Sequence, residues 1–478
     1  MKTLFRKYKP VDPAILKEYN NFRPSGPRKL ICYVPFNNIS FSMEGRVLAC
    51  NYNSLVMLGM YPEKNLHDIW FSSTGHTLKK HMEHNDLSYG CEYCANFINN
   101  SKFSGLKPQV FDKYSDYKKN QYPKVMEFEM LNTCNLECIM CNGMASSSIR
   151  KNRENFKQMI SPYDDTFVQQ LEEFIPHLQE AKFYGGEPFL IDIYHMIWEK
   201  IFEINPKINI FVITNGTIMN EKIKDYLEKG NFDLAVSIDS VNKEKYEHIR
   251  KNANFENVMK NVEYLSAYSL SRNKVLSISI TLMRINWDDV PDMVRFANHL
   301  KAITYFSYLS KPENLSLSNL ASKELFEIRR KLSINDFPED TEFQKYNKYC
   351  FRDFLYQLEV WENRNNMTRP FIEDEKDCDI NFAEDLYKSL EEIFMINFSK
   401  SLYNRYVNYS PKEYKQKKVK LTKKLYSIIN HKSVIINKED FFGILLKFKM
   451  VEIIEHLENK SIKTLIKQMN ENIESLKQ

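Results

Sequence analysis

The sequence predicts an α/β protein. A parallel sheet, open or curled into part of a barrel, follows a small cysteine-bearing segment and precedes a mainly helical C-terminal region. Three observations carry this. Between residues 124 and 308, six short apolar runs alternate with amphipathic stretches, at about 31 residues per unit, the usual size of a βαβ repeat. Before them, two short strand patterns flank a Met43-Glu44-Gly45 turn. After them, residues 313–478 show long helical patterns rich in Lys, Glu, Asn, Tyr and Leu.

Composition narrows the class. The chain has 478 residues, 43% hydrophobic and 27% charged, which is ordinary for a globular protein of two or three domains. Its net charge of +5 is close to balance at this length and gives no reason to expect nucleic acid. The N-terminus lacks the apolar run of a signal peptide, and no stretch approaches the ~20 apolar residues that cross a membrane. Nine cysteines, an odd number, cannot all pair within the chain, so reduced thiols and a cytoplasmic location are expected. Glycine is scarce, 12 in all, so each one is expected to be demanded by its position.

In chain order, strands are expected at 38–42 and 46–49, then a helix over 66–84. The repeating part places strands at 125–131, 181–184, 208–214, 233–239, 275–282 and 303–308. Helices are expected between them at 165–177, 194–204, 221–229, 257–268 and 288–300. In such folds ligands sit at the carboxyl ends of the strands.

The first of these strands runs directly into Cys134-x3-Cys138-x2-Cys141. Three thiolates at i, i+4 and i+7 can converge on one soft metal centre. A cuboidal iron–sulfur cluster normally takes four, so three leave an iron open, the mark of a reactive site rather than a structural one. The plainer readings are buried cysteines, or zinc completed by a distant residue. Further signals follow at the later strand ends: Gly185-Gly186-Glu187-Pro188, Thr214-Asn215-Gly216, and Ser237-Ile238-Asp239, with Arg250 beyond.

In this order the motifs resemble those of the radical S-adenosylmethionine (AdoMet, SAM) superfamily over roughly residues 124–310. The resemblance implies a partial (β/α)6 TIM-like barrel. It implies a catalytic [4Fe–4S] cluster on Cys134, Cys138 and Cys141, with S-adenosyl-L-methionine chelating the open iron. Gly185 and Gly186 would let the backbone approach that ligand, with Pro188 closing the turn. Glu187 would accept from the methionyl ammonium, and Arg250 would face the carboxylate. Thr214, Asn215, Ser237 and Asp239 would offer polar groups to ribose and methionine. Met140 stands where the family often has an aromatic against adenine, and its polarizable side chain suits the same contact.

Four further cysteines lie upstream: Cys32 and Cys50 around the predicted hairpin, and the pair Cys91-x2-Cys94. On spacing alone, two pairs of thiolates suit zinc and [4Fe–4S] equally well. Cys32-x2-Pro35-Phe36, Gly45-x4-Cys50 and Cys91-x2-Cys94 resemble the SPASM or shorter twitch auxiliary-cluster domain, which implies one auxiliary [4Fe–4S] cluster, fully ligated. That domain usually follows the barrel and here precedes it. The expected organisation is 1–110 auxiliary cluster domain, 111–312 barrel, and 313–478 helical region for substrate or partner recognition.

The resemblance implies an enzyme that cleaves AdoMet to a 5′-deoxyadenosyl radical, with an external electron donor of flavodoxin or ferredoxin type. It favours a peptide or protein substrate that is crosslinked, oxidised or epimerised. A sugar or small-molecule substrate comes second, and a non-catalytic Fe–S or zinc scaffold is a remote third. The basic run 412–424 suits an acidic leader peptide, although a solvated helix face is the simpler reading. Cys350 and Cys378 are expected to be structural, the sharper alternative being a hydrogen-atom donor.

Overall fold

The computed structural model describes residues 8–118 except 54, 102, 104 and 105, then 121–367, and short stretches between 416 and 467. The chain divides into two compact units, Met1–Arg369 and Pro370–Gln478. Cys378 and most of the run 412–424 lie outside the described residues.

The first unit is built on one sheet. Its strands among the described residues are β1 (Asn38–Ser42), β2 (Arg46–Leu48), β3 (Met57–Met60), β4 (Val125–Glu129), β5 (Glu180–Phe183), β6 (Asn209–Thr214), β7 (Asn231–Ser237), β8 (Ser277–Leu282) and β9 (Ile303–Tyr308). Their spatial order is β3-β2-β1-β4-β5-β6-β7-β8-β9. Strands β4 to β9 are all parallel and form the partial barrel, each within two residues of its expected start.

Period-two alternation positions the barrel's two faces. Ala181, Phe183, Ile210, Val212, Ile278 and Ile280 are fully buried under the surrounding helices. Phe128 stacks on Phe183 at 4.8 Å, and Trp198 meets Phe183 edge-on at 5.4 Å. The alternate residues, including Lys182, Phe211, Ile213, Ser279 and the 59%-exposed Tyr305, line an accessible inner face. The helix Glu342–Met367 covers the outer edge of β9. Its Asn347 Oδ1 accepts from Thr304 N at 2.7 Å, and Cys350 Sγ donates to Thr304 O at 3.5 Å, so edge groups that would otherwise be bare are paired.

Two features were not legible in the sequence. Strand β1 pairs parallel with β4, from Asn38 opposite Val125 to Ser42 opposite Glu129. The sheet therefore runs unbroken from the N-terminal segment into the barrel. The expected helix over 66–84 is two helices, Leu66–Trp70 and Ser73–Glu83. Ser72 breaks it, because its extended backbone and its hydroxyl, which accepts from Gly75 N at 3.2 Å, start a new helix.

In the second unit, Leu421, Leu425, Ile428, Ile454, Leu457, Leu465 and Ile466 are buried. Lys424, from the basic run, turns inward and donates to the carbonyls of Leu457 (2.6 Å) and Lys460 (2.5 Å). There it satisfies C-terminal carbonyls of the helix Met450–Asn459, a favourable place for a cation.

Candidate active site

The chain leaves β4 at its carboxyl end and forms an irregular loop through Cys134, Cys138 and Cys141. Serines that follow hold this loop. Ser147 and Ser148 Oγ donate to Cys134 O at 3.2 and 2.8 Å, and Ser146 Oγ donates to Leu136 O at 2.6 Å. Ser146 also caps the short helix Ser147–Asn152, so one hydroxyl fixes both loop and helix. On the other side Glu137 N and Ile139 N donate to the carbonyls of Lys251 and Ile249, at 3.0 and 2.9 Å. That contact brings Arg250 to the loop.

Cys134, Cys138 and Cys141 sit on this one loop and act electrostatically on one another, and Arg250 acts on Cys138 and Cys141. Burial pushes the Cys134 thiol up to about 11. The hydrogen bond from Cys138, aided by Arg250, draws Cys141 down. Arg250 is buried, with Nη2 2.8 Å from Asp239 Oδ2. Its Nε is buried with no hydrogen-bond partner, an unsatisfied donor beside two thiols.

The Gly185-Gly186-Glu187 turn packs against the same loop. Glu187 N donates to Thr133 O at 2.7 Å. Gly186 has φ +51°, and a Cβ there would lie 2.2 Å from Thr133 O; at Gly185 (φ +80°) it would lie 2.8 Å from Leu131 O. The glycines thus serve loop packing directly, as well as any ligand. Gly186→Ala should cost about 1–3 kcal/mol of stability through backbone strain, before any clash is counted. Urea denaturation checks this, and a neutral result would refute the packing argument.

Glu187 is fully buried, and burial pushes its carboxyl up to about 7. It accepts from Asn215 N (2.6 Å), Thr214 Oγ1 (2.8 Å) and Phe189 N (3.1 Å), which binds the ends of β5 and β6 together. Asn215 Nδ2 lies 3.9 Å from Cys134 Sγ, and Gly216 follows at φ +73°. Asp239 is fully buried between Arg250 and Thr281 N (2.7 Å). Ser237 and Met140 are half-buried, and Pro188 starts a short 3-10 turn. All the expected residues on the barrel side therefore sit at one end of the sheet. Residues not foreseen are Asn132, Ser146 to Ser148, and Glu137, whose buried carboxylate accepts from Asn152 and Asn252 at 2.8 and 3.2 Å. The serine run was their one visible signal.

The four upstream cysteines share a single cavity with Ile31, Tyr52 and Asn53. Two amide donors already point at sulfur: Val34 N to Cys32 at 3.4 Å, and Asn53 Nδ2 to Cys91 at 3.3 Å. Burial pushes Cys91 and Cys94 up to about 12. Among the described residues no three His, Cys, Asp or Glu side chains are close enough for one metal ion, so a mononuclear site would require the thiols to move inward. Four sulfurs around an apolar cavity, with N–H donors aimed at them, fit a larger thiolate-bound group. Because β1 is parallel to β4 and β2 antiparallel to β1, this cavity lies at the N-terminal end of the barrel strands. The three-cysteine loop lies at the opposite end, with about 13 Å of β4 between the two levels.

Residues 128–297 match the Radical SAM superfamily. The chain is 26% identical over 178 residues to a probable GTP 3′,8-cyclase of Methanocaldococcus jannaschii, covering 37% of this chain and 56% of that protein. It is 24% identical over 238 residues to a radical SAM cyclopropyl synthase of Paramaledivibacter caminithermalis, covering 42% and 49%. It spans about half the length of these relatives. SuiB of Streptococcus suis, solved with S-adenosylmethionine, aligns with TM-score 0.34 and 12% identity over 54% of this chain and 58% of that one.

Proposed function

We propose, from the premise that this chain is a radical SAM enzyme, that it abstracts hydrogen from a C–H bond of a peptide or protein substrate. Cys134, Cys138 and Cys141 would hold a [4Fe–4S] cluster with one iron open to AdoMet. When bound, that pair supplies, on one-electron reduction, the 5′-deoxyadenosyl radical that takes the hydrogen. The observation that carries the reading is the placement of three thiols on one loop, with the unsatisfied Arg250 Nε beside them and the Gly185-Gly186-Glu187 turn packed against it.

The chain's own residues have defined tasks. The Ser146–Ser148 hydroxyls and the 249–251 backbone fix the loop before anything binds. Arg250, anchored by Asp239, presents a cation to anionic thiolates and to a carboxylate. Glu187, ionised, suits an ammonium, and the hydrogen bonds from Asn215 and Thr214 favour its charged form. Met140 would suit an adenine, while Pro188, Ser237 and Asp239 would shape the remaining wall.

In this reading residues 1–110 form a SPASM- or twitch-like domain whose four thiols hold one auxiliary [4Fe–4S] cluster. Residues 111–312 are the barrel, and 313–478 recognise substrate or partner. An electron donor of flavodoxin or ferredoxin type and a reducing cytoplasm complete the requirements. The accessible inner face, with Tyr305 59% exposed, favours an extended peptide chain over an enclosed metabolite. A small-molecule substrate is the second reading, favoured by the relative named as a GTP 3′,8-cyclase.

Anaerobic reconstitution with iron and sulfide, then dithionite and AdoMet, tests the core of the proposal. About eight iron per chain and release of 5′-deoxyadenosine are expected. Bound zinc without AdoMet cleavage would sink it. A short precursor peptide encoded beside this gene, and its mass change on incubation, separates the two substrate readings.

A further inference from the structure

We propose that Lys107 and Glu127 set the reduction potential of the group held at the four-thiol cavity. The inference rests on the reading that Cys32, Cys50, Cys91 and Cys94 hold an iron–sulfur cluster.

The cavity is otherwise apolar. Ile31, Val34, Leu78, Met82, Leu87 and Ile98 form much of its wall. A cation has been brought to its rim. Lys107 begins the short helix Lys107–Val110, and the next residue, Pro108, lines the cavity. The lysine side chain is only 12% exposed. Its Nζ donates to Asn51 Oδ1 at 2.8 Å, the residue following Cys50, and lies 6.0 Å from the ring centroid of Tyr52, which also lines the cavity. Both Cys50 and Cys94 feel Lys107 as a charge that favours the thiolate.

The counter-charge comes from the barrel. Glu127 Oε2 accepts from Lys107 Nζ at 2.7 Å and from Asn38 Nδ2 at 3.2 Å, and the carboxylate is 5% exposed. Glu127 is on β4, on the face opposite Phe128 and Met126, which pack outward. The ion pair therefore joins the cavity's rim to the inner face of the barrel. A buried ion pair gives little net stability, because desolvation offsets the attraction. A structural brace could be built from apolar residues at this place. A fixed charge pair beside four thiolates has a different consequence: it biases how readily the bound group accepts an electron.

The sign follows from Coulomb's law. Reduction adds one electron, supplied in the cell by the external donor and in the test by dithionite, and no bond forms or breaks. The added negative charge is stabilised by Lys107 and opposed by Glu127. At Cys50 the charge of Lys107 outweighs the opposing charge of Glu127, and at Cys94 only Lys107 of the two is felt, so its effect is the stronger.

The experiment is a dye-mediated redox titration followed by electron paramagnetic resonance on the full-length protein. The chain carries Cys134→Ala, Cys138→Ala and Cys141→Ala, so that only the four-thiol site is loaded. Lys107→Met should move the midpoint to a more negative potential, and Glu127→Gln should move it the other way. Lys107→Arg should leave it near the starting value. Lys107→Met leaves Glu127 buried and unpaired, so Lys107→Met/Glu127→Gln provides a variant without that burden, still expected to shift negative. Midpoints that coincide in all variants with about four iron bound, or shift in the same direction for both single substitutions, overturn the proposal. Zinc or no metal in the starting protein overturns the cluster reading beneath it, and metal analysis tells that failure from the first.

Discussion

Alanine at Cys134, Cys138 or Cys141 is expected to reduce AdoMet cleavage to background and to lower iron from about eight to about four per chain. The loop explains why no partial activity should survive. All three thiols come from one eight-residue segment whose backbone is fixed from both sides, by Ser146 to Ser148 and by residues 249–251. A neighbouring side chain cannot move in to replace a lost ligand. Cys91→Ala gives the contrast. It too should lose about four iron, but its site lies at the far end of the strands, so uncoupled 5′-deoxyadenosine formation with dithionite should persist. The measurements are iron content and chromatographic quantitation of 5′-deoxyadenosine. Retained cleavage in Cys138→Ala, or abolished cleavage in Cys91→Ala with the first cluster intact, would contradict the assignment of the two sites.

That contrast depends on geometry the sequence did not carry. The strands β4 to β9 were legible because short apolar runs alternate with amphipathic stretches at a regular spacing, and local pattern is enough for that. The pairing of β1 with β4 is a contact between residues almost ninety apart, with no local signature. Without it the four cysteines can be grouped but not placed. The Gly185-Gly186 pair shows a second limit. Its presence was legible, but its packing reason lies in the carbonyls of Leu131 and Thr133, which approach from another strand end. Lys107 is a third case: a single lysine before a proline resembles any surface cation until Glu127 and Asn51 are seen around it. Side chains that act through long-range partners are the ones a sequence hides.

Asp239→Ala should be among the most destabilising single changes in the barrel, by about 3–5 kcal/mol. The carboxylate is fully buried and holds two partners, Arg250 Nη2 at 2.8 Å and Thr281 N at 2.7 Å. Burial pushes its carboxyl up even though Arg250 pulls it down, so desolvation outweighs attraction and the pair is not itself a strong source of stability. The loss comes from what is left behind, a buried guanidinium with its Nε already unsatisfied and an orphaned backbone amide. Two corollaries separate this from simple cavity formation. Removing both charges, as Asp239→Leu/Arg250→Met, should recover much of the loss, a coupling readable in a double-mutant cycle by urea denaturation. The loss should also be smaller in the loaded protein than in the metal-free one, because anionic thiolates and a bound carboxylate would then give Arg250 other partners. Equal destabilisation in both forms, with no recovery in the double variant, would mean that Asp239 acts only as packing and that Arg250 takes no part in the site.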